Sequence, residues 1–282
     1  MNLYSLFDLF GAPNPDSLEN RNLSALRLLT PPVGKLLKKY FRAEVRGIGN
    51  IPPGAALYVG NHNMAMLSLD TAIFCAEALR AHGTDALPFG LAHDMAVSVP
   101  VVRDLILAVG GVRASHENAH AIFAAGKKAM VYPGGGLEAM RSFANRNRIV
   151  FGGRTGYMRL ALRENVPIVP VVAAGAHSAS IILTDGSSFA RTFRLDKLLR
   201  ADVWPLMLCL PWGLWFGPTP FYIPYPTKIL ISVMEPMTFP RTGPEAEEDE
   251  AYVRECADRV ENAMQLRLTE LARERSGRRR GK

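Results

Sequence analysis

Tyr58-Val59-Gly60-Asn61-His62-Asn63-Met64-Ala65-Met66-Leu67-Ser68-Leu69-Asp70 is the stretch whose reading decides the fold. Ala55, Leu57, Tyr58 and Val59 form a short apolar strand that ends in a small residue, displays a histidine beside a turn, and leads into a helix from Thr71 to His82. The same alternation recurs downstream. Leu87–Ala92 reads as a strand and Val101–Val109 as a helix; Ala129–Tyr132 reads as a strand that ends in Pro133-Gly134-Gly135-Gly136. A helix over Thr155–Glu164 then leads into the strand Ile168-Val169-Pro170-Val171-Val172. Strands alternating with helices predict an α/β fold with a mixed, mostly parallel sheet flanked by helices. In such sheets ligands gather beyond the carboxyl ends of the strands, where each of these motifs falls.

Working outward, the 282 residues suffice for one catalytic unit with helical extensions. We expect an N-terminal helical membrane-docking segment over 1–45, a catalytic domain over 46–240, and a C-terminal helix and basic tail over 241–282. Leu23–Phe41 mixes leucines with Arg27, Lys35, Lys38 and Lys39 around Pro31-Pro32. It reads as a helix, a break and a second basic amphipathic helix, packed on the core or lying in a bilayer interface. Residues 203–223 carry no charged side chain, but their prolines and glycines argue against a span. They are ordinary core, a buried loop, or an interfacial patch anchored by Trp212 and Trp215.

Thirty-three Lys and Arg against 26 Asp and Glu give a formal net charge of +7, which favours anionic partners. No zinc-finger spacing or long basic recognition helix supports nucleic acid, so anionic lipid or a phosphorylated cofactor is the better match. Cys75, Cys209 and Cys256 suggest neither a disulfide framework nor a metal site. With an N-terminus unlike a secretory signal, they point to the reducing cytosol.

Imidazole is the side chain best suited to take a hydroxyl proton near neutral pH, which makes His62 a candidate general base. Asp70 either orients it or merely caps the following helix. Arg113, after Gly110-Gly111, grips a ligand oxygen or forms a surface ion pair. Gly134, Gly135 and Gly136, followed by Glu138, make an ordinary turn or let backbone approach a ligand closely. The turn lacks a P-loop ending or dinucleotide spacing, and no Gly-x-Ser-x-Gly elbow is present.

Taken in order, these blocks resemble the glycerolipid acyltransferase superfamily, which includes lysophosphatidic acid and diacylglycerol acyltransferases. Asn61, His62 and Asp70 match its first block, Arg113 its second, Gly135, Gly136 and Glu138 its third, and Val166–Pro170 its Val-Pro-Ile-Val-Pro strand. Pro-Gly-Gly followed by Glu-Ala also looks like the neutral-lipid branch. The family's usual Asp stands closer to the histidine, where this chain has Leu67.

The resemblance implies transfer of a fatty acyl group from acyl-CoA or an acyl-carrier protein thioester to a lysophospholipid, monoacylglycerol or diacylglycerol. No cofactor or metal is implied. His62 would be the base, with Asp70 orienting it and Asn61, Arg113 and Glu138 holding substrate. Backbone N–H groups around Gly134–Gly136 are our own candidate for stabilising the oxyanion. The expected location is the cytoplasmic face of a membrane, peripheral or monotopic. Two alternatives stand: a membrane-surface lipid-binding protein with an impaired His/Asp pair, and a lipid esterase or thioesterase.

Overall fold

The computed structural model describes residues 13–64, 68–92, 100–195, 203–217 and 221–277; Met66 and the end of the basic tail lie outside them. Its strands are β1 (Glu44–Arg46), β2 (Ala56–Gly60), β3 (Phe89–Ala92), β4 (Gly111–Arg113), β5 (Lys128–Val131), β6 (Ile168–Ala174), β7 (Ile181–Thr184), β8 (Leu206–Cys209), β9 (Gly213–Phe216) and β10 (Leu230–Val233). Its helices are α1 (Leu23–Tyr40), α2 (Leu69–His82), α3 (Pro100–Ala108), α4 (His116–Ala124), α5 (Gly135–Ala139), α6 (Gly156–Arg163), α7 (Ser187–Thr192), α8 (Pro244–Glu248) and α9 (Glu250–Gly277).

Seven strands form the main sheet in the order β1-β10-β6-β2-β5-β3-β4, parallel except where β10 meets β6. The mixed, mostly parallel sheet is as expected. Strands β2 and β6 are buried at every residue because helices cover both faces, which is why they read as continuous apolar runs. Leu57 and Val59 face a core shared with α4, α6 and α9, whereas Ala56 and Tyr58 face one shared with α2 and the end of α1. From β2 the chain crosses to β3 on one side, and from β5 it later crosses to β6 on the other, so the crevice above the carboxyl end of β2 is a topological switch point.

Three features depart from the sequence expectations. α1 runs unbroken through Pro31 and Pro32. Both prolines are exposed, as are Arg27 and Leu28, whose carbonyls lose their helical partners and can bond water instead. Gly34 holds the helix in place: a Cβ there would lie 2.2 Å from that of Ala76 on α2. The C-terminal helix is no appendage, because Val253, Val260, Met264, Leu268 and Leu271 of α9 recur at helical spacing within the main core. Residues 203–217 contribute β8 and β9, which join β7 in a separate antiparallel sheet. Among the described residues no helix is long and apolar enough to cross a membrane.

Candidate active site

The chain leaves β2 through Asn61, whose carboxamide continues the ladder in place of backbone. Its Oδ1 accepts the Ala173 N–H at 2.8 Å and its Nδ2 donates to the Ala173 carbonyl at 3.0 Å. Asn61 is 1% exposed, so it fastens β2 to β6 and is not free to hold substrate as expected. This fastening sets His62 above the central strand. The His62 ring lies against Tyr132, which follows β5, at a centroid separation of 4.7 Å. Gly60 makes room for that ring, since a Cβ there would come within 2.5 Å of Tyr132 Cε1. The Tyr132 hydroxyl hydrogen-bonds Thr71 Oγ1 at the start of α2.

Glu138 also departs from its expected role. It is fully buried, and its carboxylate accepts the His62 N–H at 2.9 Å through one oxygen and the Val150 N–H at 3.1 Å through the other. Gly134 permits this approach, because a Cβ there would sit 2.3 Å from Glu138 Cβ and 2.4 Å from the Val150 carbonyl. The Gly135 amide already donates to the Tyr132 carbonyl at 3.0 Å. Burial raises Glu138 to about 7, with Arg141 and the two amides pulling the other way.

Three residues after Glu138, Arg141 spends its guanidinium on the same loop. Its Nη1 donates to the His62 and Glu138 carbonyls, each at 2.6 Å, and its Nη2 to Asn63 Oδ1 at 2.8 Å and the Arg146 carbonyl at 3.2 Å. Nε reaches the Asn145 carbonyl at 3.2 Å. His177, beyond β6, bonds the Arg141 carbonyl through Nε2 at 2.7 Å. Backbone and side chains thus converge on one histidine from the ends of β2, β5 and β6.

The expected His62–Asp70 pair is not formed. Asp70 Oδ2 accepts a hydrogen bond from Asn63 Nδ2 at 2.9 Å, while Asp70 Oδ1 and His62 Nδ1 are buried without a partner. Asp70 lies in the first turn of α2, and Asn63, on the loop that precedes the helix, takes one of its oxygens. Ser68, the residue before α2, makes no capping bond. Burial pushes Asp70 above the usual carboxylate range. It pushes His62 down to about 4, with the Asn63 backbone opposing and the Arg141 charge adding to the fall. His62 is therefore neutral at physiological pH, the state a proton acceptor needs.

Arg113 is not part of this assembly. It ends β4 at the sheet edge, three strands from β2 or roughly 14 Å at about 4.8 Å per strand, and pairs with Asp16 at 3.3 Å. The sequence reading missed Asn63, Tyr132, Arg141 and His177. Only Arg141 carried a usable signal, its three-residue offset from Glu138. Among the described residues no cluster of three or more His, Cys, Asp and Glu side chains could hold a metal ion.

The site is thus a histidine above the central strand of the sheet, beside a glycine turn and a buried carboxylate. The fold is similar to that of the 1-acyl-sn-glycerophosphate (LPA) acyltransferase PlsC of Thermotoga maritima, with a TM-score of 0.52 and 18% identity over 88% of this chain and 81% of that one. The chain belongs to the diacylglycerol acyltransferase family, whose model matches residues 3–264, and so to the glycerolipid acyltransferase superfamily.

An uncharacterized protein of Mycobacterium tuberculosis is 30% identical over 245 residues, 86% of this chain and 65% of the relative, so the chain spans just under two thirds of that relative's length. The 2-acylglycerol O-acyltransferase 3 of Homo sapiens is 26% identical over 51% of this chain and 44% of its own length. Diacylglycerol O-acyltransferase 2 of Danio rerio is 24% identical over 74% of this chain and 60% of its own length.

Proposed function

We propose that this protein transfers a fatty acyl group from acyl-CoA, or another acyl thioester, to a hydroxyl of a mono- or diacylglycerol or lysophospholipid at a membrane surface. The observation that carries the reading is the commitment of Glu138 and Arg141 to the backbone of a single, neutral histidine. His62 takes the acceptor hydroxyl proton as the oxygen attacks the thioester carbonyl. The new C–O bond forms, the C–S bond breaks, and the leaving thiolate recovers the proton from the imidazolium. Asp70 acts on His62 through Asn63. The turn at Gly134–Gly136 supplies backbone N–H groups toward the oxyanion, apart from the Gly135 amide that Tyr132 already occupies. Exposed leucines and lysines on α1 favour an anionic bilayer as the working surface.

The test is transfer from radiolabelled acyl-CoA to vesicles carrying lysophosphatidic acid, another lysophospholipid, monoacylglycerol or diacylglycerol. His62→Ala should lower transfer by about 10²–10⁴-fold, the usual contribution of a general base, without unfolding the protein. Transfer unchanged in that variant would sink the mechanism. The lack of a direct His62–Asp70 hydrogen bond favours one rival, a lipid-binding protein that has lost catalysis. It predicts vesicle binding with no transfer to any acceptor.

A further inference from the structure

The small sheet has two unlike faces. Ile182, Met207 and Cys209 point inward with Tyr222, packing against Met140 beside the site. The opposite face is apolar and open. Leu208 lies directly across from Leu214, and Leu206 from Phe216, so these side chains form cross-strand pairs on the solvent side. Leu214 is 65% exposed, and Phe221 in the following loop 85%. Soluble sheets normally turn polar residues outward, yet neither 203–217 nor 221–227 contains a charged residue.

This face continues onto α1. Leu29, Val33, Leu36 and Tyr40 recur at helical spacing as an exposed apolar stripe, with Leu36 66% exposed. The Tyr40 hydroxyl donates to the Pro224 carbonyl at 2.6 Å, and Ile223 bridges to Leu210 at the end of β8. The stripe and sheet therefore meet. Exposed cations lie on α1 itself, Lys35 and Lys39, and on the segment whose Phe189 packs against Phe216 of β9, Arg191 in α7 and Arg194 just after it. The Tyr222 hydroxyl, on the inner side, donates to the Met64 carbonyl at 2.7 Å, two residues beyond His62.

We propose that the outer face of β7–β9 and the α1 stripe form one docking surface for an anionic bilayer, and that Tyr222 couples this surface to the loop carrying His62. The proposal rests on the membrane-surface reading above and names the part of the molecule responsible. An apolar face flanked by cations matches the boundary of acyl chains and anionic headgroups. A second copy is a poorer occupant, because self-pairing would bring like-charged flanks together. Docked this way, the sheet enters the lipid while its inner side holds the catalytic loop at the surface, where an acceptor arrives without leaving the bilayer.

The experiment measures binding of the full chain to phosphatidylcholine vesicles with and without phosphatidylglycerol, in the absence of any acyl donor. Wild type should bind the anionic vesicles better. Leu214→Asp combined with Phe216→Asp should weaken that binding by about tenfold or more, whereas Leu266→Asp, on the exposed side of α9, should not. Brominated lipid should quench Trp212, exposed at the turn between β8 and β9, in a Trp204→Phe/Trp215→Phe background. Tyr222→Phe should bind as wild type but transfer acyl groups more slowly.

Unchanged binding by the double variant, or an unquenched Trp212, would overturn the docking surface. So would a wild-type dimer that Leu214→Asp makes monomeric while vesicle binding persists. Unchanged transfer by Tyr222→Phe would overturn the coupling. Sheet-dependent binding without transfer to any acceptor would leave the docking surface standing and refute the acyltransferase reading instead.

Discussion

Around His62 polar groups are buried, and on the small sheet apolar groups are exposed. Each region inverts the usual distribution, and they compensate differently. At the ends of β2, β5 and β6, Asn61, Glu138 and Arg141 are almost wholly enclosed, and each is bonded to backbone. The small sheet has no comparable internal remedy, because among the described residues nothing covers Leu214 or Phe221. One inversion is closed within the fold; the other needs an external partner. Mutations in the first should therefore register as lost stability, and mutations in the second as lost docking.

The largest effect is expected at Arg141. Replacing it with Met keeps much of the volume but leaves the Glu138 carboxylate without its cation and several buried carbonyls without their donor. The expected loss is about 3–5 kcal/mol, the range for breaking a buried charge interaction, measured by urea unfolding. A loss below about 1 kcal/mol, in the range of a surface pair, would mean the enclosure around His62 is not closed from within. Arg141→Lys keeps the charge without the five-donor geometry, so it should recover only part of the stability.

Acid should act on the same region. Burial holds His177 down to about 3, so the folded state keeps it neutral where the unfolded chain would protonate it near 6.5. Its contribution is intact above that value and is lost as pH falls toward 3. At pH 4 the loss is roughly 3 kcal/mol. Glu138 tilts the other way: raised to about 7, its contribution is present below the ordinary carboxylate pKa and fades as pH rises through 7. In His177→Asn, unfolding between pH 7 and 4 should lose the His177 share of the acid slope; an unchanged slope would remove His177 from the closed network.

Glu138 itself should show an effect of overlapping size, because two buried amides lose their acceptor. Ala leaves the His62 and Val150 amides unpaired, at about 1–3 kcal/mol for each buried group. Gln retains one acceptor oxygen and should restore roughly half of that loss. Equal stability of Ala and Gln variants would show that the two amides do not depend on this side chain.

The legible and illegible parts of the molecule divide along the same comparison. The alternation of strands and helices could be read because β2 and β6 are apolar at every position, and His62 could be placed because it follows one of them. Its supports could not. Arg141 bonds mainly to backbone carbonyls, which every residue possesses and no sequence pattern marks. Arg113 was overread: it follows a strand as a ligand-gripping residue would, but the strand lies at the sheet edge, and strand order is invisible before folding. Asp70 was matched to the family's aspartate as the first Asp after His62, yet Asn63 takes the bond. The strands β8 and β9 were hidden because they are apolar on both faces, which erases the period-two signal.

The smallest effect on stability belongs to Leu214, and it is the sharpest test of the contrast. Leu214→Ser removes an exposed side chain whose cross-strand neighbour, Leu208, is itself open to solvent. Unfolding should shift by no more than about 0.5 kcal/mol, as for surface substitutions generally. Met207→Ala, one position from Leu208 but 0% exposed on the inner face, should cost about 2–4 kcal/mol. Measured together, the two variants separate the faces of a single hairpin. If Leu214→Ser destabilised as much as Met207→Ala, the outer face would be covered within the isolated chain, and the small sheet would belong with the enclosed region around His62. A neutral Leu214→Ser that nevertheless weakens vesicle binding would place its contribution wholly in contact with lipid.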